Sequence, residues 1–129
     1  MCRKQLVELQ RMMDDFAQRG VEIIAISMNT EDVAKTTAEE WRLDRLSLGY
    51  GLDLEDARRW GLFASASIKD KEPAHFVEPG IFLVQPDGML YASMLQSMPF
   101  TRPPAKELLS SIEWILEHDY PARGEMQLS

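Results

Sequence analysis

The chain has 129 residues, a formal net charge of −7, 45% hydrophobic and 27% charged residues, which fits one domain with a single core and argues against disorder. An acidic chain without a tight basic cluster repels phosphate backbones, so nucleic acid is not an expected partner. A single cysteine excludes an internal disulfide, and no apolar run approaches membrane-spanning length, so the expected setting is the cytoplasm, with a reduced thiol and no membrane.

The chain opens with MCRKQL, and a helical pattern begins at once. Cys2, Leu6, Leu9, Met13 and Phe16 recur at steps of four and three, which predicts an amphipathic helix from Cys2 to Arg19 capped by Gly20. Gln5, Glu8 and Gln10 interrupt any apolar region of a signal peptide. Residues 21–28 (VEIIAISM) form a nearly continuous apolar run, which predicts a strand buried on both faces of a parallel sheet. Asn29 or Thr30 then caps a helix to about Arg42, with Glu31 and Asp32 in its first turn. Residues 46–50 are a short strand candidate. Asp53, with Asp56 three residues on, opens a brief helix that Gly61 closes.

Residues 62–79 show no period and read as loop. GIFLV (80–84), the turn Gln85-Pro86-Asp87-Gly88 and MLYASML (89–95) predict a hairpin. Pro103 and Pro104 start the last helix, on which Ala105, Leu108, Leu109, Ile112, Ile115 and Leu116 form an apolar stripe. The tail DYPARGEMQLS lacks any period. Helices alternating with strands and ending in a hairpin give an α/β fold with a mixed sheet, in one domain spanning 1–129. A strand buried on both faces needs a neighbour on each side, and nothing ahead of the first helix supplies one.

The stretches CRKQLVELQ, GVEIIAIS, GYGL with ARRWGLF, EPGIFLVQPDGMLYA, QSMPFTRP and DYPARGE, in this order and spacing, resemble the alkyl hydroperoxide reductase/thiol-specific antioxidant branch of the peroxiredoxin superfamily. The element order resembles a thioredoxin-like fold that lacks its first, central strand. That resemblance implies a thiol-dependent antioxidant oxidoreductase that reduces a small peroxide or a disulfide, uses an external thiol reductant and needs no cofactor. In the family a Cys-Pro-x-Cys motif opens the first helix, its leading cysteine the nucleophile and its second able to resolve the intermediate. Cys2 matches the second cysteine and Met1 the x. The expectation is therefore that the leading cysteine and its proline lie upstream of Met1, a methionine inside the motif having been taken as the start. On that expectation the 129 residues by themselves have no appreciable peroxidase turnover, and whether this chain is itself an enzyme stays open. The rival reading is a non-catalytic thioredoxin-like binding or interaction module.

Three residues carry the candidate site. Cys2 stands where a helix N-terminus, Arg3 and Lys4 would lower a thiol pKa; alternatively it is a small buried hydrophobe on the stripe of Leu6 and Leu9. Pro79, ahead of GIFLV, matches the proline that thioredoxin-like proteins hold in the cis form facing the redox motif; alternatively it is an ordinary trans proline at a strand start. Arg102 resembles the peroxiredoxin arginine that stabilises a thiolate and polarises peroxide oxygens; alternatively it is a surface arginine near a helix start. His75 and His118 lack metal-ligand spacing, so no metal is expected. The methionines and tryptophans read as core filling, with Trp60 alternatively lining the site's rim. Without the first strand, the 21–28 and 80–84 strands either pair with each other or are covered by a homodimer. A lone chain with an open slot between them would count against this register of elements.

Overall fold

In the computed structural model, which describes residues 3–66, 75–98, 100, 102–124 and 126, the first helical stretch is broken in two, α1 (Arg3–Arg11) and α2 (Met13–Gln18). Met12 leaves helical geometry at φ −97°, ψ 6°, and its N–H is shared between the carbonyls of Glu8 and Leu9 at 3.1 and 3.2 Å. Gly20, at φ +76°, closes α2 by donating to Ala17 O at 2.9 Å, a left-handed position that favours glycine. The single continuous helix expected from the apolar period is thus corrected to a bent pair. The bend lets Leu9, Met12 and Phe16 reach one cluster.

The chain then enters β1 (Ile24–Ile26), crosses through α3 (Glu31–Glu40) and returns as β2 (Ser47–Gly49), parallel to β1 with Ile24 opposite Ser47. Thr30 caps α3, its hydroxyl accepting from Val33 N–H at 3.4 Å. Between α3 and β2 the backbone turns at Arg42, a non-glycine residue at φ +56°, and buries Leu43 and Leu46. Gln10 of α1 holds this turn. Its amide donates to Arg42 O at 2.8 Å and accepts from the N–H groups of Arg45 and Leu46 at 3.0 and 3.2 Å. Arg45 adds a 2.7 Å ion pair to Asp14 of α2, which holds the Asp14 carboxyl below its ordinary pKa by hydrogen bonding and charge. A depressed carboxyl pKa stabilises the fold above the unfolded-state value and loses that contribution as pH falls through the folded one. Both side chains are exposed, so the effect is small and screened by salt.

A capping box between Asp53 and Asp56 starts α4 (Leu54–Arg59), as the three-residue spacing predicts. The expectation of loop for 62–79 is corrected at 64–66 and 75–77, while 67–74 lie outside the described residues. β3 (Ala64–Ala66) and β4 (His75–Val77) pair antiparallel, with Ala64 opposite Val77. Strands of three residues are too short to display an alternating period, which is why the pattern showed none. β5 (Gly80–Val84) and β6 (Leu90–Leu95) form the expected hairpin, with a register shift between Leu83 and Val84 and a turn in which Gly88 N–H donates to Gln85 O at 2.9 Å. α5 (Ala105–His118) follows Pro104, which sits extended at its N-cap. The tail after it is irregular but fastened, since Tyr91 Oη donates to Tyr120 O at 2.7 Å.

The strands therefore form three two-stranded ladders, β1–β2, β3–β4 and β5–β6. Of the two outcomes expected for these strands, one is not seen: β1 and β5 do not pair. Nor is β1 buried on both faces, for Ile24 and Ile26 are 62% and 59% exposed. Each strand has one partner, and nothing described covers its second edge. What joins the ladders is the helical layer. Phe16 of α2 with Leu108 and Ile112 of α5 forms a buried cluster against which Ile23 ahead of β1, Ile81 and Leu83 of β5, and Met94 of β6 all pack. Two of the three tryptophans and several methionines are not core filling. Trp60 and Trp114 are half-exposed, and Met89 and Met126 more so, because this small cluster has no room for them.

Phe16→Ala should cost about 3–5 kcal/mol in urea denaturation, since Phe16 is buried in the cluster with Leu108 and Ile112 that joins the ladders. Gln10→Ala should cost about 1–3 kcal/mol by releasing the turn before β2 and stranding its amides. Asp14→Asn should lower stability slightly at neutral pH and low salt, with no difference from the parent chain below the Asp14 titration.

Candidate functional site

Extended backbone at Pro103 and Pro104 carries the chain from the hairpin to α5, and Arg102 stands just ahead of it. Its Nη1 donates to Oε1 of Gln5, in the first turn of α1, at 3.3 Å. The residues are 97 apart in sequence, so this contact ties the start of α1 to the entrance of α5. A guanidinium only donates, so the amide orientation follows: Oε1 faces Arg102 and Nε2 is a donor. Both Gln5 Nε2 and Arg102 Nε are buried without a hydrogen-bond partner among the described residues. Burial pushes the Arg102 pKa below the ordinary arginine value, and no carboxylate offsets it among the described residues. The group stays protonated at any physiological pH. A partly desolvated cation at a helix opening can stabilise an anion or polarise an oxygen.

Cys2 lies outside the described residues. In sequence it stands three positions before Gln5.

Pro79 joins β4 to β5 through a trans bond, since no cis peptide occurs among the described residues. This corrects the cis expectation. Trans is the lower-energy form even before proline, and the flanking bonds hold it in extended chain: Glu78 N–H donates to Phe63 O at 2.8 Å and Gln96 N–H to Pro79 O at 3.0 Å. The Pro79 carbonyl is therefore already engaged by the hairpin. Glu78 and Gln96 are buried on either side of this link, and Gln96 Oε1 has no partner among the described residues. No hydrogen bond among the described residues joins Pro79 to Arg102 or Gln5. Trp60 tilts against Phe82 of β5 with ring centroids 4.7 Å apart, a packing contact on the hairpin. Among the described residues no three of His, Cys, Asp and Glu group as metal ligands.

The residue that sequence reasoning passed over is Gln5. Its signal was there: it falls three after Cys2 and four before Leu9, so a polar amide interrupts the apolar stripe. Gln96 is the second. It follows the last strand residue, where a buried polar group marks a departure from ordinary surface loop.

Arg102→Met should leave folding stability unchanged or raise it by about 1 kcal/mol, because methionine removes a desolvated charge and a buried N–H without a partner. Urea denaturation reads the difference; a loss beyond about 2 kcal/mol would assign Arg102 a structural role instead.

A model of the AhpC/TSA family matches residues 1–93. No curated protein matches the chain. Among solved structures, a cysteine-to-serine mutant of the peroxiredoxin 6 of Arenicola marina superposes with a TM-score of 0.75 at 19% identity, over 97% of this chain and 60% of that one. The mitochondrial 2-Cys peroxiredoxin from Plasmodium falciparum superposes with a TM-score of 0.67 at 17% identity, over 99% of this chain and 73% of that one. The chain thus spans about three fifths of the first of these structures. At such identities the likeness shows the fold, a thioredoxin-like mixed α/β arrangement.

Proposed function

The chain belongs to the AhpC/TSA family, and from that premise we propose that it takes part in thiol-dependent reduction of a small peroxide or a disulfide. The observation that carries this reading is Arg102, a partly buried guanidinium without a carboxylate partner among the described residues, tied to the first turn of α1. In the proposed reaction a cysteine thiolate attacks the O–O bond of the peroxide. The thiolate becomes a sulfenic acid as the second oxygen leaves, protonated, as water or alcohol. Cys2 then attacks the sulfenic sulfur, a disulfide forms and water departs. An external dithiol reduces that disulfide and is itself oxidised. Arg102 supplies positive charge where thiolate and leaving oxygen carry negative charge.

The resemblance to the family's Cys-Pro-x-Cys motif, in which Cys2 matches the second cysteine, gives Cys2 the resolving role in this scheme, and since it is the sole cysteine of these 129 residues the scheme takes the attacking thiolate from outside them. The residues as given should show no appreciable turnover in a peroxide-consumption assay with a dithiol reductant; multiple turnovers would refute the division of roles. We place the reaction in the cytoplasm, where a reducing pool keeps Cys2 a thiol.

A binding module without catalysis is the second reading, favoured by the exposed Ile24 and Ile26 and by the second edges of β1 and β5, which have no strand partner among the described residues. Such edges accept a strand from another chain, a second copy included. Alkylation of Cys2 separates the readings. Rapid reaction that changes little between pH 6 and 8 reports a thiolate with a depressed pKa and supports redox chemistry. Reaction as slow as free cysteine supports the module.

A further inference from the structure

The core takes in little of the chain's methionine. Of the eight methionines, none that is described is fully buried. Met12 and Met94 pack against the Phe16 cluster, whereas Met89, Met98 and Met126 are exposed. Met89 is 64% exposed and stands at the tip of the hairpin. Its main chain is held on both sides: its N–H donates to Asp87 Oδ1 at 3.0 Å and its carbonyl accepts from Gln85 N–H at 2.8 Å. The turn is thus fixed through the backbone, and the Met89 side chain takes no part in the Phe16 cluster. Val84 and Leu90, paired beside it, are exposed as well, so the hairpin ends in an apolar tip that carries a thioether. A thioether differs from the other apolar side chains there in one respect. Its sulfur has lone pairs, and it reacts with peroxides without having to lose a proton.

We propose that Met89 is a site of reversible oxidation by hydroperoxides, where the chain takes up a peroxide oxygen without a thiol and without losing its fold. The sulfur attacks the terminal oxygen of the hydroperoxide; an S–O bond forms and the O–O bond breaks. The proton passes from the transferred oxygen to the departing one, which leaves as water or an alcohol. Sulfur is oxidised by two electrons and the peroxide is reduced. A methionine sulfoxide reductase with a dithiol reverses the step: the oxygen leaves as water and the dithiol becomes a disulfide. A sulfoxide at Met89 has solvent for its hydrogen bonds, and it turns the apolar tip polar. At Met94 the same oxygen would enter the packing around Phe16, Leu108 and Ile112, where apolar neighbours offer it no donor. That packing also shields Met94, since peroxide reaches it only when the layer opens. Oxidation therefore starts at the tip, where it is tolerated, and not in the helical layer on which the fold depends. Cys2 has no part in this chemistry, so the proposal stands apart from the thiol-peroxidase reading.

The test treats the 129-residue chain with hydrogen peroxide or tert-butyl hydroperoxide and locates the added oxygen over time by tandem mass spectrometry. In the folded chain Met89 should gain oxygen about tenfold faster than Met94, and in urea the two should react alike. Cys2→Ser should leave the Met89 rate unchanged, and a methionine sulfoxide reductase with dithiothreitol should restore the parent mass. Glutamine, similar in length and bearing an oxygen acceptor, stands in for the sulfoxide in a second measurement. Met89→Gln should keep the parent urea midpoint, and Met94→Gln should lower it. Equal rates at Met89 and Met94 in the folded chain, a Met89 rate that falls in Cys2→Ser, or a mass that the reductase does not restore overturns the proposal. So does a lowered midpoint in Met89→Gln or an unchanged one in Met94→Gln.

Discussion

Everything in this fold hangs on a thin helical layer. Phe16, Leu108 and Ile112 are the cluster against which β1's approach and the β5–β6 hairpin both rest, and among the described residues no main-chain ladder joins those two sheets. In an ordinary mixed sheet, hydrogen bonds between adjacent strands set their spacing, and helices only cover the faces. Here the helices carry out both tasks. That shifts the burden onto side-chain packing, which is non-directional, and onto the few polar bonds that lock helices to loops. Gln10 with its three bonds to the turn before β2 is the clearest of these; the Arg19–Glu113 pair between the C-cap of α2 and the middle of α5 is a weaker, exposed one.

The elements that were legible in the sequence are those whose signal is local. Thr30 and the Asp53–Asp56 pair announce helix starts because capping is a contact within four residues. The hairpin 80–95 is announced by its turn, whose glycine at position 88 adopts φ +89°. The break at Met12 was not legible, since an apolar period continues across it and the cause is packing on α5. Strands β3 and β4 were not legible because three residues cannot display a period. The exposure of Ile24 and Ile26 could not be read from the apolar run alone. Composition states what a strand would bury, and neighbours decide whether it is buried.

The candidate site divides the same way. Arg102 was readable from the QSMPFTRP context, but its partner was not, because a contact between residues 97 apart leaves no trace in spacing. Pro79 was readable as a strand-start proline, and the expected cis geometry was the part that failed. The hairpin's own bond, Gln96 N–H to Pro79 O, uses the carbonyl that an exposed backbone group would have offered to a substrate. Pro79 thus belongs to the scaffold of the hairpin, while Arg102 belongs to the helix opening.

Set together, these features explain why stability and chemistry pull in different directions in this chain. The Phe16 cluster is small, so the fold has little surplus with which to offset a desolvated guanidinium and two stranded N–H groups at the α1–α5 corner. Selection for stability alone would place an apolar residue at 102 or a glutamate at 5, since either removes part of the cost. The residues present do the reverse: a permanent cation held by a neutral amide. Such an arrangement is stable only because the helical layer fixes both ends of it, α1 through Leu9 and α5 through Leu108 and Ile112. The same packing that substitutes for a sheet is what keeps the charged corner in place.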